Sequence, residues 1–171
     1  GHPAWGDPEI HPWTTSYQMS YSTEAMLWGT WIKVNLADKL PVKVAGLVMD
    51  NDFGLAYEMG FEAYVEQNPD VVAEYLPVRH DPAAPTLTNE VTTIAAFAPD
   101  VFISMTAGNP CLLAIQEVEA SGLLDELSAA FTPSVCKGIA AYLAGLLGSS
   151  NSPISGVTVI TVLFTALFLF F

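Results

Sequence analysis

Positive charge is scarce in this sequence. The 171 residues include five lysines and arginines against 18 aspartates and glutamates, which gives a formal net charge of −13 at pH 7. A chain this acidic repels phosphate backbones, so we expect no nucleic-acid partner.

Cysteine and glycine-rich turns are also in short supply. Cys111 and Cys136 are the only cysteines, which is too few for a disulfide framework, and their spacing matches no zinc motif. The stretch "VAGLVMDNDFG" (44–54) offers one glycine and two acids after its apolar run, whereas a dinucleotide site needs a glycine-rich turn there. No G-x-S-x-G motif supports a serine nucleophile. We therefore expect no cofactor and no metal site.

Apolar residues, by contrast, make up 51% of the chain, enough for a substantial core. Their spacing alternates between helical and strand patterns. The predicted strands are 42–49, 71–78, 100–105 and 127–132, and helical spacing covers 21–40, 53–68, 86–98, 111–122 and 136–148. This alternation predicts an α/β fold with a doubly wound, mainly parallel sheet flanked by helices.

The composition changes at both ends. Residues 1–19 are rich in Pro, Trp and His and read as an irregular lead-in, residues 20–148 carry the α/β pattern, and residues 149–171 form a hydrophobic tail. Residues 154–171 are uncharged and would span about 27 Å as a helix, just short of a bilayer core. The tail is a C-terminal membrane anchor, a lipid-anchor signal, or a foreign continuation at a gene-fragment junction.

Ligands of doubly wound sheets bind beyond the carboxyl ends of the strands. Here those ends are 50–53, 79–81, 106–109 and 133–136. One hypothesis makes Asp50 and Asp52 the nucleophile and proton donor of a magnesium-dependent enzyme, similar to the D-x-D pair of dehalogenase-like phosphatases. The other makes this edge a binding cleft, in which Asp50 ends the strand, Asp52 caps the next helix and Phe53 faces the ligand.

The segment from "KVAGLVMDNDFGLAYEMGFEAYVEQN" through "VRHDPAAPTLTNEVTTIAAFAPDVFISMTAGNPCLLAIQEVEASGL" resembles the type I periplasmic binding proteins. The closest resemblance is to branched-chain amino-acid or leucine-binding receptors of ABC importers. It extends over roughly residues 15–145. The residues that carry it are Asp50, Phe53 and Gly54, then Asp81 and Thr86, then Pro99 and Asp100.

The resemblance implies a solute-binding module without catalysis. Such receptors clamp a small solute between two lobes. This chain resembles the second lobe, so a first lobe would precede Gly1, and residues 1–19 would be hinge-proximal. The expected location is periplasmic or extracellular, with an ABC permease as partner and a membrane contact through residues 154–171 if the tail is an anchor.

The resemblance also implies site residues. Phe53 matches an aromatic residue that lies against the ligand, and Thr106 and Ala107 fall where leucine receptors have an aromatic cleft residue. Ser134 and Val135 fall near an acid that pairs with the ligand's α-amino group in those receptors, but this chain has no acid there. An amino acid and a neutral, amide-like solute are therefore both compatible with the sequence.

Cys111 and Cys136 would lie at the same carboxyl edge if the third and fourth strands are neighbours. Adjacent strands are about 4.8 Å apart, and a disulfide needs Cα atoms roughly 4.4–6.8 Å apart. In an oxidising compartment we expect a bridge, and the alternative is two buried thiols that act as small apolar residues.

Overall fold

The computed structural model describes residues 1–14 and 19–133. Gly1–Thr132 form one compact unit, and of the second unit, Pro133–Phe171, only Pro133 is among the described residues. The predicted helix 136–148 and the tail 149–171 lie outside the described residues. The division of the chain at residues 19 and 148 stays a prediction.

Strands and helices alternate as the sequence predicts. After a short 3-10 helix at Pro3–Gly6, the helices are α1 (Tyr21–Asn35), α2 (Asp52–Gln67), α3 (Thr88–Phe97), α4 (Asn109–Ala120) and α5 (Leu123–Glu126). The strands are β1 (Val42–Met49), β2 (Val72–His80), β3 (Val101–Met105) and β4 (Ala129–Phe131). All neighbouring strands pair in parallel, in the order β2-β1-β3-β4. The prediction of a parallel, doubly wound α/β sheet is confirmed.

Helices cover both faces of the sheet, which explains why β1 is apolar at every position except Lys43. Successive side chains of a strand point to opposite faces. Val44 and Val48 pack with α1 and α2, whereas Ala45 and Leu47 pack with α3 and α4. Because both faces of β1 are buried, its sequence from Val44 to Met49 is a continuous apolar run rather than an alternating one.

Small residues bring α1 and α2 close together. A Cβ added to Gly60 would collide with the backbone of Ser22, and one added to Gly29 would collide with the ring of Tyr64. The hydroxyl of Ser22 also donates to the Ala56 carbonyl oxygen over 2.8 Å. The two helices therefore pack backbone to backbone along this contact.

An aromatic layer lies between these helices and the sheet, formed by Tyr21, Trp28, Phe53, Tyr57 and Phe131. Tyr57 is fully buried at its centre. Its ring stacks on Trp28 at 5.1 Å and on Tyr21 at 4.9 Å, and it meets Phe53 edge-on at 5.1 Å. Its hydroxyl donates to Glu24 Oε2 over 2.6 Å, so the polar end of this buried ring is satisfied.

Some predicted boundaries are wrong for local reasons. The helix predicted over 21–40 ends at Asn35, because a turn at Leu36–Lys39 redirects the chain before Pro41, whose ring disfavours helical backbone at the residue before it. The strand predicted to end at residue 78 continues to His80. Arg79 and His80 pair with Val48 and Met49, so β2 runs as far as its partner does.

The predicted capping role of Asp52 is also wrong. Asn51 is the N-cap of α2, since its backbone is extended and its side chain accepts from the backbone N–H groups of Phe53 and Gly54, both at 3.1 Å. Asp52 is instead the first helical residue, where its negative charge complements the helix dipole.

Candidate functional site

The carboxyl ends of β1, β2 and β3 meet at one edge of the sheet, which we call the carboxyl edge. It carries Asp50–Phe53 after β1, Arg79–Pro82 at the end of β2, and Thr106–Asn109 after β3. The strand pairing therefore places at one edge all the predicted site residues that the structure describes.

The turn from β1 into α2 is unusually close. A Cβ at Gly54 would collide with the backbone of Met49, so only glycine lets the helix start this near the strand end. The Asn51 side chain closes the same turn. Together they fix the position of Phe53 and Asp50 relative to the sheet.

Phe53 is partly buried rather than free at the edge. Its ring meets Tyr21 edge-on at 4.8 Å and Tyr57 at 5.1 Å, so it belongs to the aromatic layer as well as to the carboxyl edge. Its role against a ligand stays a prediction.

Thr106 and Ala107 have different environments. Thr106 is fully buried, and its hydroxyl shares a 2.7 Å hydrogen bond with that of Ser104 on the same side of β3. Ala107 is half-buried and precedes Gly108, whose φ of 64° lies in the left-handed region that glycine tolerates. Of the two predicted ligand contacts, Ala107 therefore retains accessible surface in this unit.

The remaining predicted contacts, Ser134 and Val135, lie outside the described residues. Cys111 is fully buried in the first turn of α4, but Cys136 also lies outside the described residues. The bridge between the two cysteines stays a prediction, which a count of reactive thiols in the unfolded, unreduced chain checks.

An open depression of about 390 Å³ lies at the ends of β1 and β2. Its lining residues are Asp50, Arg79, His80, Asp81, Pro82 and Glu90. The sequence predicts Asp50, Arg79, His80 and Asp81 at strand ends, and Pro82 follows them directly, whereas Glu90 comes from the first turn of α3. Glu90 could have been predicted as a site residue, because it lies in the first turn of the helix that follows β2.

The positive charge of Arg79 is paired with a carboxylate of the same fold. Its guanidinium donates to both carboxylate oxygens of Glu58, over 2.9 and 3.4 Å, and Glu58 is buried whereas the arginine side chain is 56% exposed. The hydrogen bond to Glu58 raises the pKa of Arg79, and the nearby Asp50 charge contributes less. The pair holds Arg79 towards α2.

His80 is 3% exposed although it lines the depression. Its Nδ1 lies 2.9 Å from the carbonyl oxygen of Asp81. A carbonyl oxygen only accepts, so Nδ1 carries a proton and, in the neutral ring, Nε2 is a bare acceptor. That Nε2 is buried without a hydrogen-bond partner among the described residues.

The D-x-D hypothesis finds its two acids in different settings. Asp50 lines the depression, whereas Asp52 begins α2. Within residues 1–14 and 19–133, no three side chains of the His, Cys, Asp and Glu types are grouped so that they could hold a metal ion. In that same part of the chain, no helix has the length and apolar character needed to cross a bilayer.

Comparison with solved structures gives the fold. A periplasmic binding protein from Burkholderia mallei is 20% identical, with a TM-score of 0.62 over 76% of this chain and 33% of that chain. The chain has the fold of one lobe of a type I periplasmic binding protein. No family model and no curated protein matches it.

Two further neighbours have ligand classes in their names. An ABC-transporter solute-binding protein from Rhodopseudomonas palustris, in complex with 4-hydroxybenzoate, is 21% identical, with a TM-score of 0.60 over 72% of this chain and 33% of that chain. An amino-acid ABC transporter substrate-binding protein from Pseudomonas fluorescens is 14% identical, with a TM-score of 0.52 over 61% of this chain and 27% of that chain. The chain thus spans about a third of the length of these neighbours.

Proposed function

We propose that this chain is the second lobe of an extracytoplasmic solute-binding protein of an ABC importer, and that it has no catalytic activity. One observation carries the proposal: a solute-receptor lobe fold in which aromatic and polar side chains meet at the carboxyl edge of a parallel sheet. We assign solute contacts there to Phe53, Thr106 and Ala107, and further contacts to Ser134 and Val135, which lie outside the described residues. The location is periplasmic or extracellular, and the intact protein delivers its solute to a permease.

The solute is an amino acid or a similar small polar molecule. The sequence has no acid at Ser134 or Val135, which favours a neutral or amide-like group at that point of the ligand. The ligand classes named for the neighbours, an amino acid in one and an aromatic acid in another, define the range that a binding screen needs to cover.

A single lobe offers only one wall of such a site. A ligand pocket normally buries most of its ligand, and one wall leaves polar ligand groups in water. Binding to this chain alone is therefore weak, near millimolar, which corresponds to about 4 kcal/mol.

The test is saturation-transfer NMR on the full chain with leucine, propanamide and 4-hydroxybenzoate. We expect saturable binding of at least one of them with a dissociation constant near or above millimolar. Phe53→Leu should weaken that binding several-fold, whereas the matched change Met59→Leu, at an exposed position of the same helix, should not. Binding that is equally strong in both variants, or absent for all three solutes, would contradict the proposal.

A second arm tests the enzyme alternative. Hydrolysis of p-nitrophenyl phosphate in the presence of Mg²⁺ should not exceed the rate without protein. Turnover that Asp50→Asn abolishes would establish the D-x-D enzyme instead.

A further inference from the structure

We draw no further inference here: the strongest candidate, the exposed apolar face of α1 formed by Leu27, Trp31 and Val34, carries none because nothing in the part of the chain that the structure describes shows what covers it.

Discussion

The aromatic layer and the carboxyl edge are built on opposite principles. The layer is closed: Tyr57 is fully buried, stacked on two rings, and hydrogen-bonded to Glu24. The edge is open: its depression is lined by charged side chains, and the Nε2 of His80 has no hydrogen-bond partner within residues 1–14 and 19–133. The central tyrosine of the first region has both its ring and its hydroxyl used within the fold, whereas the second region leaves the Nε2 of His80 without a hydrogen-bond partner among the described residues. That difference supports the proposal that the first region stabilises the fold and the second binds the solute.

One residue belongs to both regions, and the glycine after it fixes the turn between them. Phe53 packs in the aromatic layer while it follows the end of β1, and Gly54 allows the close turn on which both depend. The geometry of the edge therefore depends on the packing of the layer. The expected effect of a substitution on stability therefore depends on which of the two regions it disturbs.

The largest effect is expected from Tyr57→Ala. It removes the centre of the aromatic layer and leaves a cavity, which should lower the free energy of unfolding by about 3–5 kcal/mol. Tyr57→Phe is the control, because it keeps the ring and loses only the bond to Glu24, at a cost of about 1 kcal/mol. Urea unfolding measures both, and equal losses in the two variants would show that the stacked rings contribute little.

Gly54→Ala should have the second-largest effect on the free energy of unfolding. The added Cβ collides with the backbone of Met49, which cannot move aside as a side chain can, so we expect a loss of about 1–3 kcal/mol. Gly6→Ala is the matched control, because a Cβ there meets nothing within 4 Å. Comparison of urea midpoints decides, and a Gly54→Ala variant as stable as the Gly6→Ala variant would disprove the close turn.

Alkaline pH should weaken the aromatic layer. Burial, followed by the bond to Glu24, raises the pKa of Tyr57 well above its ordinary value, and burial also raises the pKa of Tyr75. These folded values exceed the unfolded value of about 10, so the stabilisation is complete below pH 10 and is lost as pH rises towards the folded pKa. We expect a loss of about 1 kcal/mol per pH unit above pH 10 from Tyr57, and a smaller slope in Tyr57→Phe. A stability that stays constant from pH 9 to pH 11 in the wild type would contradict this.

The smallest effect on folding is expected at the carboxyl edge. Glu90→Gln should change the free energy of unfolding by less than about 0.5 kcal/mol, because it alters charge at an open depression without removing packed atoms. The same urea experiment checks it. A loss above about 1 kcal/mol would mean that the edge, like the layer, is used for stability.

The sequence predicts the architecture better than the site. Strand β1 was predicted from its apolar run with the bounds that the structure has, since burial on both faces leaves a strong signal. Asn51 and Asp52 are both capping residue types, so sequence alone could not choose between them. Arg79 and His80 looked like loop residues because their polarity conceals a strand whose length is set by its partner β1.

The depression shows more clearly what the sequence alone could not predict. Its residues come from the end of β1, the end of β2 and the first turn of α3, and only the pairing of the strands brings them together. The pairing of Arg79 with Glu58 and the orphaned Nε2 of His80 are properties of three-dimensional packing that no local pattern encodes.

The central claim is that the carboxyl edge, and not the rest of the surface, is the ligand-binding face of a receptor lobe. The most direct measurement is a map of backbone amide shifts in the full chain during titration with leucine, propanamide and 4-hydroxybenzoate. The account predicts that the perturbed amides of the described residues are concentrated at Asn51–Gly54, Arg79–Asp81 and Thr106–Asn109, and that α1 and the amino ends of the strands stay unmoved. Saturable shifts concentrated at α1 or at the amino ends of the strands, with the carboxyl edge unmoved, would contradict it.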